Sequence, residues 1–312
     1  ATTAVSTNNS GTGWLTQSVT PAQTPSSFSL SGSSSGLTLS SLSSDQPGVV
    51  QASLLSAQTS STALTLTTLQ TTTQTVPAGL SAVASVYGQG SLGADLMLAG
   101  VNTTASAPTV ASNLVSAAFS SSSQQNTLAS VAVPTLLANQ EPSLAFVGGS
   151  LYLSYLDSNN NINITSLTNK TKNQWSTSYN ILAAAGANVT AQDAVITGEQ
   201  VGGLTQLAAY YLPNDGNNQL TKAYTFTPAT NNSWTSGVAI GEPIENLEVD
   251  NFSLKVSQFD GQTYLLYPSQ TGTADEYVIP TSSNPNNGSS WFSNTYTLTG
   301  SGDVTAGSGI GF

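Results

Sequence analysis

The chain has 312 residues and a net charge of −11, with four lysines, no arginine, no histidine and no cysteine. The lack of a basic cluster excludes phosphate-neutralising contacts with nucleic acid and attraction to an anionic membrane surface. Missing cysteine and histidine exclude disulfides, thiol chemistry and the commonest general base. Serine and threonine make up 90 residues and charged residues only 6%, so we expect a location outside the cell or at its surface.

The first 20 residues form one predicted segment, because Trp14 shares a spacing with later tryptophans: Trp175 follows it by 161 residues. This segment resembles the last strands of a repeat unit, and residues 301–312 resemble the start of one. Two arrangements follow from this. The two ends close one ring, so that free strand edges disappear, or the N-terminal strand pairs with another copy of the chain and links copies head-to-tail.

Residues 21–140 are poor in charge and rich in serine, threonine and alanine. Low-complexity sequence of this kind is typical of a disordered stalk. Segments such as 63–69 nevertheless alternate between apolar and polar residues, which favours strands. We therefore predict degenerate copies of the repeat that is clearer in the second half of the chain.

Three clear repeat units end in Trp175, Trp234 and Trp291, which are 59 and 57 residues apart. Each unit contains an apolar strand, a tyrosine-containing strand, a polar turn, a further strand and the tryptophan. A supersecondary unit that recurs at this interval is typical of a propeller or a solenoid. The sequence predicts an all-β protein, a β-propeller of five or six four-stranded blades over residues 21–300, with incomplete units at both termini.

The segments Gln206–Leu212 and Asn231-Asn-Ser-Trp-Thr-Ser-Gly resemble blades of the fungal fucose-specific lectin propellers. The resemblance covers roughly the second half of the chain. It implies a propeller scaffold and carbohydrate binding, in pockets that the family builds from arginine, glutamate and aromatic residues. This chain departs from that pattern because it has no arginine.

Three acidic residues, Glu141, Asp193 and Asp250, precede the first strand of successive units. Equivalent positions of a propeller converge at its axis, where three carboxylates could bind Ca²⁺ or act in glycoside cleavage. The simpler interpretation is that each carboxylate caps a turn by accepting backbone N–H bonds. Asp157, Asn159 and Asn161 match the start of a calcium loop, but the later ligand positions do not, so we predict a hairpin turn.

Aromatic side chains are the candidates for contact with sugars, because an aromatic face matches the apolar face of a sugar ring. The carbohydrate-binding candidates are Trp175, Trp234, Trp291 and Tyr210. The regular placement of the tryptophans favours packing between blades instead. No other cofactor is indicated.

Eight Asn-x-Ser/Thr sequons offer sites for N-linked glycans. Chance alone gives a similar number in a chain so rich in these residues. The candidates are Asn8, Asn102, Asn163, Asn169, Asn188, Asn231, Asn251 and Asn287.

Three functions fit these features. The preferred one is an extracellular structural protein, a glycosylated surface or fibre subunit that assembles with its own copies through β-strand contacts. The alternative is a carbohydrate-binding, lectin-like propeller. A second alternative is a glycoside hydrolase that uses the axial carboxylates.

Overall fold

The computed structural model describes residues 2–7, 14–19, 25–33, 36–43, 45–46, 49–59, 64–75, 84–87, 96–102, 109–115, 129–131, 141–169, 174–228, 233–244, 253–259, 261–271 and 274–297. Within them the chain forms 23 strands, one short α-helix and one 3-10 helix. The prediction of an all-β chain is therefore confirmed. No helix among these residues has the length and apolar character needed to cross a membrane.

The strands form one two-stranded and five larger antiparallel sheets that follow one another along the chain. The N-terminal pair is β1 (Thr2–Thr7) and β2 (Trp14–Val19). Sheet 1 is β3 (Pro25–Ser33), β4 (Gly36–Ser43), β5 (Val49–Thr59) and β6 (Leu64–Thr75). Sheet 2 is β7 (Ala84–Tyr87), β8 (Leu96–Asn102), β9 (Thr109–Val115) and β10 (Ala129–Val131).

The second half contains three further sheets. Sheet 3 is β11 (Ser143–Val147), β12 (Ser150–Leu156), β13 (Ile162–Asn169), β14 (Gln174–Trp175) and β15 (Tyr179–Asn180). Sheet 4 is β16 (Ala191–Val201), β17 (Leu204–Pro213), β18 (Thr221–Thr225) and β19 (Thr235–Ala239). Sheet 5 is β20 (Lys255–Phe259), β21 (Gln262–Thr271), β22 (Ala274–Ser282) and β23 (Phe292–Thr297).

The sheets are arranged around their first strands. Strand β3 contacts β7, β7 contacts β11, β11 contacts β16, and β16 contacts β20. Contact between the first strands of consecutive antiparallel sheets is the arrangement of a propeller, in which these strands surround a common axis. Residues 21–140 thus supply two sheets, as the degenerate-repeat interpretation predicts. Residues 301–312 lie outside the described residues, so their predicted closing role stays a prediction.

Tight turns set the register of the first two strands of sheets 3 and 4. Gly148 and Gly149 have φ of 56° and 83°, and Gly202 and Gly203 have φ of 58° and 80°. Positive φ at both central residues defines the two-residue turn that matches strand twist, and glycine adopts it without a steric penalty. Each Gly-Gly pair therefore fixes a hairpin at the same place in its unit.

Close approach at the axis depends on a third glycine. A Cβ atom on Gly198 of β16 would lie 2.7 Å from the Phe146 carbonyl oxygen of β11. The Ser143 hydroxyl also accepts a hydrogen bond from the Ile196 N–H at 3.0 Å. Sheets 3 and 4 are therefore joined along their first strands by backbone-level contacts.

Strand β17 is buried on both faces, from Gln206 to Pro213. The alternation of its sequence predicts one buried and one exposed face, but each face of a propeller sheet packs on a neighbouring sheet. One apolar core lies between sheets 3 and 4 and includes Ile164 and Ala209. A second lies between sheets 4 and 5 and includes Leu212 and Leu265.

The short helix α1 (Ile181–Ala184) was not expected from the sequence. The Asn180 side chain begins it by accepting hydrogen bonds from the N–H groups of Leu182 and Ala183, at 2.8 and 3.2 Å. Such N-capping satisfies donors that lack a helical partner. Ile181 and Leu182 are fully buried, so the helix covers the core between sheets 3 and 4.

Candidate functional site

Trp234 packs between sheets 3 and 4. Its side chain is buried, and its Nε1 donates to the Tyr179 hydroxyl at 3.1 Å. The hydroxyl in turn donates to the Pro228 carbonyl at 3.2 Å. A residue at the end of one sheet thus closes the interface with the preceding sheet.

Trp291 occupies the same place between sheets 4 and 5. Its ring meets the Tyr210 ring edge to face, with centroids 5.8 Å apart, and both side chains are buried. Trp175 is only partly buried and packs against Leu151. Packing is therefore the observed role of these rings, and their use as carbohydrate-binding residues stays a prediction.

The turns before Trp234 and Trp291 repeat the same hydrogen bonds. Thr225 and Ser282 each stand nine residues before the tryptophan, and their hydroxyls accept backbone N–H bonds of 3.1 Å. The same hydroxyls pair with Ser233 and Ser290 at 2.6 and 2.8 Å. The repeat therefore extends beyond the tryptophans to a hydroxyl pair that the spacing analysis missed.

Glu141 and Asp193 lie at the axial ends of sheets 3 and 4. Glu141 forms an ion pair with Lys255 of sheet 5. Asp193 accepts hydrogen bonds from the N–H groups of Ala194 and Leu254, at 2.8 and 2.7 Å. Asp250 lies outside the described residues. Of the two placed acids, Asp193 makes the backbone contacts of a cap, and Glu141 is neutralised by a lysine.

Burial raises the pKa of the Asp193 carboxyl to about 6. The Leu254 N–H, the Lys255 ammonium and the Ala194 N–H all lower the pKa, and the nearby Glu141 raises it further. Burial wins because a carboxylate loses its hydration inside the protein. No group of three metal-ligating acids occurs among the described residues.

A second polar site lies between sheets 4 and 5, and we call it the inter-sheet polar cluster. Its members are Glu199, Gln206, Tyr210, Lys222, Thr263 and Asn286. Glu199 Oε2 accepts from Lys222 Nζ at 2.6 Å and from Gln206 Nε2 at 2.7 Å. Its Oε1 accepts from the Tyr210 hydroxyl and from Thr263 Oγ1.

Asn286 closes the cluster from sheet 5. It lies in the loop between β22 and β23, and its Oδ1 accepts from Lys222 Nζ at 2.8 Å and from Gln206 Nε2 at 2.9 Å. Its Nδ2 donates to Gln206 Oε1 at 3.0 Å. A Cβ on the nearby Gly288 would lie 2.3 Å from the Ala239 carbonyl oxygen of sheet 4. Glycine is therefore what lets this loop approach sheet 4.

The cluster is dry at its centre, since the side chains of Glu199 and Lys222 are 0% exposed. Burial lowers the pKa of Lys222 to about 8 against the opposing effect of Glu199. The pKa of Tyr210 is raised by burial first and by the Glu199 charge second. The ammonium also lies 5.2 and 5.4 Å from the ring centres of Tyr210 and Tyr224.

The ion pair belongs to sheet 4 and does not repeat in sheets 3 and 5. Lys222 is paired with Tyr210 across the strands. In sheet 3 the residue opposite Tyr155 is Asn163, and in sheet 5 Val278 lies opposite Tyr267. A feature present in one of three similar sheets is not required by the fold itself.

Sequence reasoning treated Lys222 as one of four scattered cations and did not single out Glu199 or Asn286. A signal was available on strand β18, where Lys222 and Tyr224 share a face by alternation. A lysine on a face that packs against another sheet needs a carboxylate partner.

Asp157 lies in the turn between β12 and β13. Its two oxygens accept four hydrogen bonds of 2.9–3.0 Å, from Asn159 N, Asn161 N, Asn161 Nδ2 and Asn163 Nδ2. Burial raises the pKa of this carboxyl, but the hydrogen bonds from Asn161, Asn163 and Asn159 outweigh burial and lower it overall. The structure confirms a hairpin turn here.

The sequons differ in how their asparagines are engaged. Asn163 donates to Asp157 and to the Asn161 carbonyl, whereas Asn188 is exposed. Asn287 is exposed and caps the 3-10 helix Gly288–Ser290 by accepting from Ser289 N at 3.2 Å. Asn169 is partly buried, and only the backbone of Asn102 is described. Asn8, Asn231 and Asn251 lie outside the described residues.

No family model matches this sequence, and no curated protein is significantly similar to it. Solved propellers are similar in structure. AofleA from Arthrobotrys oligospora has a TM-score of 0.57 at 11% identity, with 92% of this chain and 77% of that chain covered. A fungal lectin of Aleuria aurantia, described as a six-bladed β-propeller with fucose recognition, has a TM-score of 0.51 at 13% identity, covering 89% and 80%.

A sialidase of Trypanosoma rangeli has a TM-score of 0.56 at 12% identity. The match covers 91% of this chain and 49% of the sialidase, so the chain spans about half of that enzyme. Identities this low establish the fold alone. The chain is a β-propeller, similar in fold to the fungal lectins that its repeat units resemble.

Proposed function

We propose that this protein is a carbohydrate-binding propeller that acts outside the cell, with the inter-sheet polar cluster as its recognition site. One observation carries this proposal: a carboxylate, an ammonium and two carboxamides meet beside aromatic rings in only one of sheets 3, 4 and 5. Sugars present closely spaced hydroxyl groups that both donate and accept hydrogen bonds. The cluster offers matching donors and acceptors within one small volume.

The resident occupant of this site is the Asn286 carboxamide. It makes three hydrogen bonds to Lys222 and Gln206, and its side chain is only partly buried. Two neighbouring sugar hydroxyls can make the same three bonds, because each can donate and accept. Binding therefore requires the loop between β22 and β23 to withdraw, which exchanges protein hydrogen bonds for equivalent bonds to the ligand.

A glycan array tests this proposal with the wild-type protein and two variants. Asn286→Ala removes the competing carboxamide, so we expect tighter binding of any sugar that the wild type retains. Asn284→Ala is the matched control, because Asn284 lies in the same loop with an exposed side chain. Absence of sugar binding by all three proteins would refute the proposal.

A structural role in fibres is the second candidate, and the N-terminal pair favours it. Strand β1 pairs only with β2 among the described residues, whereas sheets 1 to 5 have at least four strands each. A two-stranded sheet has edges that can accept a strand from another copy of the chain. Electron microscopy of the full chain and of a variant lacking residues 1–19 tests this; filaments that survive the deletion contradict strand exchange.

A further inference from the structure

The indole N–H groups of Trp234 and Trp291 occupy equivalent places but differ in their partners. Between sheets 3 and 4, Trp234 Nε1 donates to the Tyr179 hydroxyl at 3.1 Å. That hydroxyl donates onward to the Pro228 carbonyl at 3.2 Å. One oxygen atom therefore accepts from the indole and donates to the chain six residues before it.

Between sheets 4 and 5, Trp291 Nε1 is buried and has no hydrogen-bond partner among the described residues. The Trp291 side chain is 7% exposed, so bulk water does not solvate it freely. It packs in an otherwise apolar core with Leu220, Leu254 and Leu265. A buried donor without an acceptor is unfavourable and rare in native proteins.

The difference arises from the strand that faces each tryptophan. Tyr179 follows Trp175 by four residues, and the residue that follows Trp234 by four is Val238. A Cβ on Gly288 would lie 3.9 Å from Val238 Cγ1, so this valine faces the loop that leads to Trp291. Valine has no oxygen that could accept the indole proton.

The surrounding turn is otherwise the same at the two interfaces. Pro285 precedes Trp291 by six residues, as Pro228 precedes Trp234. The hydroxyl pairs Thr225–Ser233 and Ser282–Ser290 hold the two turns by equivalent hydrogen bonds. The second interface therefore keeps the indole donor and the turn and lacks only the tyrosine hydroxyl.

We infer that a single water molecule binds between sheets 4 and 5, where its oxygen takes the part that the Tyr179 hydroxyl plays for Trp234. The water accepts from Trp291 Nε1 and donates to the Pro285 carbonyl, the counterpart of the Pro228 carbonyl. Buried waters occur where otherwise unpaired polar groups can offer two to four hydrogen bonds. Water has the donor and acceptor capacity of the missing hydroxyl.

A high-resolution crystal structure of the wild-type protein is the direct test. We expect density for a water oxygen within about 3.2 Å of Trp291 Nε1, the upper limit of an N–H···O bond. An indole that faces a dry apolar contact, or one that donates to a protein group, would overturn the inference. This measurement needs no variant and therefore does not depend on a substitution being tolerated.

Paired substitutions give an independent readout. Trp291→Phe and Trp234→Phe remove the same atoms, so their volume effects are matched, and each removes one indole hydrogen bond if the water is present. We then expect the two thermal midpoints to fall by similar amounts. A Trp291→Phe midpoint equal to or above the wild-type value would contradict the inference, because deleting an unpaired buried donor relieves a penalty.

Discussion

Lys222 Nζ and Glu199 Oε2 lie 2.6 Å apart in sheet 4, and neither side chain is exposed. The two residues stand on strands β18 and β16, with β17 between them. The same ammonium also binds Asn286 of sheet 5. The ion pair therefore joins three strands of one sheet to a loop of the next sheet, and its removal tests both the interface and the proposed site.

We expect Lys222→Met to lower the free energy of unfolding by about 3–5 kcal/mol, because it leaves the Glu199 carboxylate buried without its cation. The double variant Glu199→Gln, Lys222→Met should lose less than Lys222→Met alone, since no unpaired charge remains. Urea denaturation measures both. Lys255→Met is the control, because its partly exposed pair with Glu141 should contribute about 1 kcal/mol or less. Equal losses for the two lysine variants would contradict this prediction.

Asp193 should make stability fall as pH rises from about 4 to 6. Its pKa is about 6 in the folded protein and 3.8 in the reference state, so the folded state holds more protons between these values. The free energy of unfolding then decreases with pH in this window, by at most about 3 kcal/mol, and is constant above it.

The difference in stability between the wild type and Asp193→Asn isolates this effect from the other acids. The variant does not titrate at this position, so the difference should change between pH 4 and 6. Its lost N–H acceptor adds an offset that does not depend on pH. A difference that is flat across this range would show that Asp193 has an ordinary pKa.

Gly288→Ala should destabilise the interface between sheets 4 and 5. The added Cβ would lie 2.3 Å from the Ala239 carbonyl oxygen, so the loop has to move away from sheet 4. We expect a loss of about 1–3 kcal/mol, measured by thermal unfolding. Ser289→Ala in the same loop is the control, and a loss of about 0.5 kcal/mol or less is expected at its exposed position.

Calcium should not stabilise the turn at Asp157, because both carboxylate oxygens already accept hydrogen bonds. The thermal midpoint should be the same with Ca²⁺ and with a chelator. Asp157→Ala should cost about 1–2 kcal/mol, since it leaves several donors without their acceptor. Asp215→Ala is a matched turn variant that loses two exposed hydrogen bonds and should cost less; a calcium-dependent midpoint would refute the assignment.

The sequence was sufficient to predict the propeller because its evidence is periodic. Tryptophans in step, Gly-Gly hairpin turns and alternating strands all report the local backbone, and the same local solution recurs in each unit. Even residues 21–140 follow from this reasoning, because strand alternation persists where composition alone favours a stalk. The exception is α1, which four residues and one Asn180 cap define, too short a segment to leave a period.

The inter-sheet polar cluster could not be predicted in the same way. Glu199, Lys222 and Asn286 come from two strands and a loop, with up to 87 residues between them, and no spacing rule connects them. Their proximity depends on how sheets 4 and 5 pack and on Gly288, which allows the loop to approach. The axial acids were easier, because equivalent positions in a repeat converge, yet the pairing of Glu141 with Lys255 follows from neither period nor composition.

The ion pair of Glu141 and Lys255 has a consequence for how the protein unfolds. It connects sheet 3 to sheet 5 and passes over sheet 4, whereas stability in repeat proteins usually reduces to each module and its immediate neighbours. Melting of sheet 4 by itself would strain a tie between the two modules on either side. We therefore expect these three modules to behave as one cooperative unit, with amide exchange that slows and quickens together across residues 141–297.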